Sequence, residues 1–370
     1  MDFAFSDEQQ MLRSSARQFL SEKLSLERVA EIADGDEGWD RDLWRAIGEL
    51  GWIGLSVPEA RGGAGTSYLD EAVLFEELGY ALFPGPYLAT VALALPVLAV
   101  SDMPLDDLIA GRAAATLAWA EGPGAYHLSD LGEIGTKAEP RNGSWTLSGQ
   151  KELIVDLGLC DTVAVVAKAS DGLGVWSLAA DSASPVVLRT VDRTRRLGRL
   201  ELNAVEASVV VEPGSADDVL REVRLRLLAA LALEAVGIAQ RAQELAIEHA
   251  KTRQQFDKPI GTYQAVSHPL ADTYADTERA RSLAYWAAWC VAEKDPQAPM
   301  AAAAAKSFAA EAAVLACERA IQVHGGIGFT WEHVLHRLYK RAEWIEAFEG
   351  IGASHRSDIA AEILAEISTD

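Results

Sequence analysis

Residues Gln322–Glu349, QVHGGIGFTWEHVLHRLYKRAEWIEAFE, decide how this chain is read. The stretch opens on Gln322 and a glycine-rich turn, Gly325-Gly326-Ile327-Gly328, runs into a helical segment, and closes on Phe348-Glu349-Gly350. Glycines let a backbone approach a ligand or a neighbouring helix closely. The turn reads equally as the terminator of the preceding helix and as a cluster of exposed N–H groups suited to a phosphate. Glu349 ends an apolar, aromatic-flanked segment and stands beside a residue without a side chain. A carboxylate there is a candidate general base, provided that it is desolvated. The plain alternative is a solvated glutamate at a helix end.

Upstream lies a second constellation, Arg253-Gln254-Gln255-Phe256-Asp257-Lys258-Pro259-Ile260, followed by Tyr263-Gln264-Ala265. It falls between two helical runs. Arginine offers a forked, permanently charged donor that matches pyrophosphate, and Phe256 offers a face for a ring. Read alone, the segment is also compatible with a surface salt bridge and a core phenylalanine.

In order and spacing, these motifs together resemble the acyl-CoA dehydrogenase family. The resemblance covers the whole chain and is strongest from about residue 226 to 356. It implies a mostly α fold with an N-terminal helical domain, a small antiparallel β-domain and a C-terminal four-helix bundle. It implies FAD as cofactor, an acyl-CoA thioester as substrate and an electron-transferring flavoprotein as electron acceptor. In such a protein Arg253, Gln255, Phe256, Ile260, Tyr263 and Gln264 clamp the pyrophosphate and adenosine of an FAD held mainly by a neighbouring subunit. Gln322, Gly325 and Gly326 complete the adenosine side. Glu349 removes the α-proton while a β-hydride passes to flavin N5, giving the trans-2-enoyl-CoA. No metal is implied.

The rest of the chain divides by pattern into residues 1–112, 113–212 and 213–370. The first part is helical. Ser6-Asp7-Glu8-Gln9 fits a capping box, with Met11, Leu12, Ala16, Phe19 and Leu20 on one face. Further helices are expected over about 40–50 and 68–78, and in the alanine- and leucine-rich run after Pro84 and Pro86. The loop between the first two of these holds Gly62-Gly63-Ala64-Gly65. The second part carries short β-branched runs within 145–148, 162–167, 175–178, 186–188 and 207–211, separated by turns such as Asn142-Gly143. Sandwich and barrel are both open. The third part returns to long helices, about 215–251, 264–292 and 300–323, before the stretch quoted above.

Departures from the family pattern cluster in the middle. The family's flavin-facing segment is of Thr-Glu-Pro-Gly type; here Trp119-Ala120-Glu121-Gly122-Pro123-Gly124 puts Ala120 at the threonine. Gly149-Gln150-Lys151 is kept, but Leu153 and Val155 occupy the places of an aromatic residue and a threonine. Ile351 replaces another threonine, and Leu228 a usual arginine. Some members place the base on the first long C-terminal helix; that position falls near Leu227, which cannot act. Glu234, seven residues on in a very apolar run, is read as a packing residue that needs a partner. Such losses resemble subunits of heteromeric members that complete a partner's site. Three readings therefore stand: a homotetrameric dehydrogenase, one subunit of a heterotetramer with an incomplete site, and a non-catalytic assembly protein on this fold.

Composition sets the outer bounds. The chain is 370 residues long and 49% hydrophobic, enough for a sizeable core. A net charge of −22 argues against nonspecific nucleic-acid binding, which needs excess Lys and Arg. Cys160, Cys290 and Cys317 have no metal-type spacing and read as buried apolar residues. The N-terminal MDFAFSDEQQ lacks the layout of a signal peptide. The apolar run 87–100 is broken by Pro96, so no membrane insertion is expected, and the expected location is cytoplasmic.

Overall fold

A computed structural model describes residues 5–122, 126–129, 131–141 and 143–367. Pro123 and Gly124 of the flavin-facing segment, and Asn142 of the Asn142-Gly143 turn, lie outside the described residues. The first helices are α1 (Asp7–Lys23), α2 (Leu26–Asp34), α3 (Arg41–Glu49) and α4 (Tyr68–Tyr80). A π-helical stretch, Leu88–Ala94, runs into α5 (Leu95–Leu98), and α6 (Asp106–Ile109) follows. Seven strands come next: β1 (Ala115–Ala118), β2 (Lys137–Arg141), β3 (Ser144–Val155), β4 (Thr162–Ala169), β5 (Gly172–Ala179), β6 (Ser184–Leu188) and β7 (Leu197–Val211). The chain ends with α7 (Ala216–Thr252), a hairpin of β8 (Gln254–Gln255) and β9 (Lys258–Pro259), then α8 (Gln264–Ala292), α9 (Ala298–His324), α10 (Leu335–Ala347) and α11 (Gly352–Ile367).

By compactness the chain forms two units. One comprises Met1–Glu31, Tyr68–Phe83 and Leu228–Asp370. In it α1 begins with the expected capping box: the Gln9 N–H donates to Ser6 Oγ at 3.2 Å and the Ser6 N–H to Gln9 Oε1 at 3.1 Å. The alanine-rich α9 packs against α8, α10 and α11, because short side chains let helix axes come close. The run Ala298–Phe329 is long and apolar enough by composition to cross a bilayer, but 67% of its most apolar window is buried inside the protein. It is thus the unit's core helix. Buried carboxylates tie α1, α4 and α8. Glu76 accepts from Arg13 at 2.8 Å, Arg281 at 3.0 Å and the Tyr285 hydroxyl at 2.8 Å, and Glu77 accepts from Arg13 and Arg17. Burial of a charge is tolerated only with such partners.

The helical run expected directly after the glycine turn starts later. Gly325–Phe329 is a 3-10 turn and α10 begins at Leu335. The glycines and Thr330 interrupt the ladder, and the Leu335 N–H donates to His333 Nδ1 at 3.3 Å. Short helices α2 and α11 went unread, as did strands β1 and β2.

The other unit comprises Ile32–Ser67 and Pro84–Leu227. Its sheet settles the choice between sandwich and barrel. Strands β4, β2, β3, β7 and β5 pair in that order, and β5 pairs back onto β4, so the sheet closes on itself. β1 adds to β4 and β6 to β7. Pairing is antiparallel except for β1 with β4 and a single β2–β4 pair. Leu147, Ile154, Val163, Val165, Trp176 and Leu200 fill the interior, as period-2 alternation on a closed sheet requires. All three cysteines are free and buried.

Candidate active site

Glu349 sits where α10 gives way to α11. Phe348 leaves the helix in extended conformation, its N–H still donating to Trp344 O at 3.0 Å. Glu349 then takes φ +58° and Gly350 φ +101°. A left-handed glutamate is strained and persists only where its surroundings fix it. Gly350 is required here: a Cβ would lie 2.8 Å from Ser354 Oγ. This double turn folds the Glu349 side chain inward, leaving it 2% exposed.

α9 fixes the turn from beneath. Lys306, fully buried, donates to Glu346 O at 3.2 Å and to Gly350 O at 3.0 Å. Ser307 Oγ donates to Gly352 O at 3.2 Å and accepts from Arg356 at 3.0 Å. Arg356 also donates to Glu311 at 2.6 Å. Burial, opposed by Glu346, Glu349 and Glu311, brings the Lys306 ammonium down to about 8.

Glu234, on α7 of the same unit, is buried and ion-paired with the fully buried Arg341 of α10. A charged residue in so apolar a run needs a partner or a raised pKa, and Arg341 is a partner for it.

The Arg253 segment folds as a tight hairpin, β8 on β9, with Phe256 and Asp257 at its tip, both at positive φ. Two successive left-handed residues are the geometry of a two-residue hairpin turn. The tip leaves the Phe256 ring 86% exposed. The Tyr263 hydroxyl donates to Gln255 O at 3.1 Å, Lys258 Nζ lies 4.6 Å from the Tyr263 ring centre, and the Ile260 N–H donates to Arg253 O at 2.9 Å. The Arg253 side chain is exposed, with no hydrogen bond or ion pair among the described residues. Gln264 is exposed at the start of α8.

α9 stops at Gly325, whose φ of +63° suits only glycine among common residues. Gln322, Gly325 and Gly326 are exposed, and a Cβ on either glycine would meet nothing within 4 Å. A column of imidazoles joins this turn to the hairpin root. The rings of His249 and His324 stack at 4.3 Å, and His333 follows at 4.6 Å. Burial first, then the neighbouring imidazole and Arg253, holds His249 below its usual range. His333 is lowered by burial and by the other two histidines. Sequence reading missed this column, although His249 lies one helical turn before Arg253. The column thus links the end of α7, from which the Arg253 hairpin springs, to the end of α9, where Gln322 and Gly325 lie. Beside them Phe329 and Trp331 are 80% and 62% exposed, more aromatic surface than a free face normally carries.

An FAD fits these residues at its adenosine diphosphate end. There is an unpaired guanidinium for phosphate, open glycine backbone and an exposed ring. The barrel unit offers less to the flavin. Ala120 and Val155 are buried and Leu153 half-buried, all without hydroxyls. Leu153 sits in a bulge of β3 against β7 at φ +51°, which turns its backbone out of the ladder. The fully buried Lys151 holds the adjoining segment, donating to Trp119 O at 3.1 Å and to Glu121 at 2.5 Å. Glu121 also accepts from the Gly135 and Thr136 N–H groups. Despite that burial, these cationic and N–H donors hold its carboxyl below the usual range.

Residues 6–101 match the model of the acyl-CoA dehydrogenase N-terminal domain, and residues 226–364 that of the C-terminal domain. The chain is 34% identical over 337 residues to acyl-CoA dehydrogenase IpdE2 of Mycobacterium tuberculosis, covering 91% of each. It superposes on butyryl-CoA dehydrogenase from Megasphaera elsdenii with a TM-score of 0.89 at 26% identity, covering 98% of this chain and 100% of that one. It superposes on the ChsE4–ChsE5 complex of M. tuberculosis with a TM-score of 0.88 at 28% identity, covering 98% and 99%. The chain belongs to the acyl-CoA dehydrogenase family of FAD-dependent oxidoreductases.

Proposed function

We propose that this chain catalyses α,β-dehydrogenation of an acyl-CoA thioester to the trans-2-enoyl-CoA, with Glu349 as the base. One observation carries the assignment: Glu349 is buried on a left-handed turn whose flanking carbonyls are both hydrogen-bonded by α9. A carboxylate held at a fixed point, away from water, meets the need of α-proton abstraction. Its proton acceptor is a Glu349 carboxylate oxygen, and the negative charge that develops on the thioester oxygen requires hydrogen-bond donors nearby. Arg253, Gln255, Phe256, Ile260, Tyr263 and Gln264, with Gln322, Gly325 and Gly326, are the residues that would hold the adenosine diphosphate end of FAD. FAD, when bound, supplies the acceptor for the β-hydride. Reoxidation by an electron-transferring flavoprotein completes the proposal.

Flavin content per subunit and bleaching by a panel of acyl-CoAs test this reading. Stoichiometric flavin that bleaches in the wild type but not in Glu349→Gln supports it. Bleaching that survives in Glu349→Gln removes Glu349 as base.

A second reading rests on Ala120, Leu153 and Val155, which lack the hydroxyls expected to face the flavin, and on the likeness to the ChsE4–ChsE5 complex. In it this chain is one subunit of a heteromer and completes a partner's FAD site through the Arg253 hairpin. A colourless protein that turns yellow only on co-expression with a related subunit supports this reading and sinks the homomeric one.

A further inference from the structure

Lys306 is the least expected side chain near the proposed base. It lies in the run AAAAAKSFAAEAA of α9 and is 0% exposed. Burying an ammonium is costly unless hydrogen bonds and opposite charge compensate. Yet among the described residues no carboxylate lies within ion-pair distance of it. Its hydrogen bonds go to main chain, and to two particular carbonyls. Glu346 O belongs to the last turn of α10, where helix carbonyls lack intrahelical partners. Gly350 O lies just beyond the strained residue. The two bracket Glu349, three residues before it and one after.

We infer that Lys306 is a positioning residue for the base: its ammonium pins the carbonyls on either side of Glu349 and supplies the positive charge that the Glu349 carboxylate faces. The inference rests on the assignment of Glu349 given above. It explains why a left-handed glutamate persists, since the strain is held by hydrogen bonds at both ends of the turn. It also explains the lysine, because a neutral side chain of the same length supplies neither charge nor donors. The charges that face Lys306 are Glu346 from α10, Glu349 from the turn and Glu311 from its own helix. From α11, Arg356 pairs with Glu311, and the buried His355 adjoins Gly350, whose Cβ would lie 3.3 Å from His355 Nε2. Burial, only partly offset by these carboxylates, brings Lys306 down to about 8, well below a solvated lysine. Above that pH the turn keeps an amine but loses the charge.

The test compares pH profiles of kcat and kcat/KM for the flavin-loaded wild type, Lys306→Met, Lys306→Arg and Glu349→Gln, together with their flavin content. Expected for Lys306→Met is normal flavin, KM within about twofold, and kcat down about 10–100-fold, the scale of a small misplacement of a reacting group. Its acid limb moves to higher pH, because a carboxylate that loses a neighbouring cation holds its proton more tightly. Its alkaline limb near pH 8 disappears. Lys306→Arg, which keeps charge and donors, retains more kcat and leaves the acid limb in place. A folded Lys306→Met with wild-type kcat and unshifted limbs overturns the inference. So does a variant that loses flavin, KM and kcat together with no shift of either limb, the mark of a purely structural lysine. If Lys306→Met does not fold, the wild type decides: no alkaline limb between pH 7 and 9.5 overturns the proposal. Glu349→Gln separates the two readings. If it is inactive while Lys306→Met is normal, only the lysine's role falls; if it is active, the base assignment falls and the inference with it.

Discussion

Replacing Arg341 with methionine removes the cation from a buried ion pair and leaves Glu234 charged in an apolar helix crossing. Arg341 is fully buried and Glu234 nearly so. Breaking one side of such a pair costs about 3–5 kcal/mol, since the remaining charge has been stripped of water without compensation. The surroundings give little room for relief. Across the crossing, a Cβ on Gly79 of α4 would lie 2.3 Å from Glu234 O and 2.7 Å from its Cα, so the two backbones are already in contact. Replacing both partners together, Glu234→Leu with Arg341→Met, removes the burial penalty along with the attraction and is expected to fall within about 1 kcal/mol of wild type. Removing Glu234 alone leaves Arg341 unpaired and costs a similar amount, so the coupling energy, the two single costs less the double, is about 5 kcal/mol or more. Urea unfolding followed by tryptophan fluorescence, with acyl-CoA turnover measured on the same samples, gives both quantities. Glu234→Gln is expected to lose stability and keep turnover. Arg341→Met as stable as wild type would refute the energetic reasoning. Glu234→Gln that keeps its stability but loses turnover would transfer the role of base to Glu234.

Other outcomes follow from the same geometry. Gly237→Ala places a Cβ 2.1 Å from Glu76 O and forces α4 and α7 apart; it is expected to destabilise by about 1–3 kcal/mol or more, read as a shift of the urea midpoint at unchanged slope. Lys151 and Lys306 both titrate near 8 when folded against 10.5 as free groups, so between pH 8 and 10.5 the unfolded chain binds more protons and stability rises with pH, by about 3 kcal/mol per lysine. Thiol and tyrosine groups with raised values act oppositely at high pH, so the readout is the difference between wild type and Lys306→Met, which should move in favour of the wild type by about 3 kcal/mol as pH rises through this window. Arg253→Met and Phe256→Ala, both on exposed side chains, are expected to leave apo stability within about 0.5 kcal/mol while weakening FAD retention at least tenfold, measured by equilibrium dialysis.

The sites legible in the sequence are those made of contiguous residues. The Arg253–Gln264 segment and the Gln322–Gly326 turn each carry their geometry locally: a two-residue hairpin tip in one case, a left-handed helix stop in the other. The Phe348-Glu349-Gly350 triplet is local too. What stayed hidden is set by partners far along the chain. Lys306 sits in a helix with alanines on every face, so no clear periodicity says which side points inward. The burial of Glu76 and Glu77 on α4 is made tolerable by Arg13, Arg17, Arg281 and Tyr285 from other helices. Strand β2, KAEPR, is charged and holds a proline, and β1, ATLA, has no alternation. Both exist because the barrel supplies neighbours for them, a tertiary effect that local propensity does not carry. The His249–His324–His333 column is of the same kind, its members spread over two helices and a loop.

Two of the buried carboxylates of the helical unit, Glu234 and Glu349, show why burial alone does not mark a base. Glu234 is neutralised by direct contact with the Arg341 guanidinium, and the pair closes α7 onto α10. A carboxylate in that position has to break a charged hydrogen bond before it accepts a proton. At Glu349 the arrangement is different in kind. The cation supplied by α9 makes no contact ion pair with a carboxylate and gives its donors to the backbone instead. That cation fixes the turn through the carbonyls that flank Glu349. The second holds its carboxylate at a defined point, and a defined position away from water is what α-proton abstraction by a carboxylate demands.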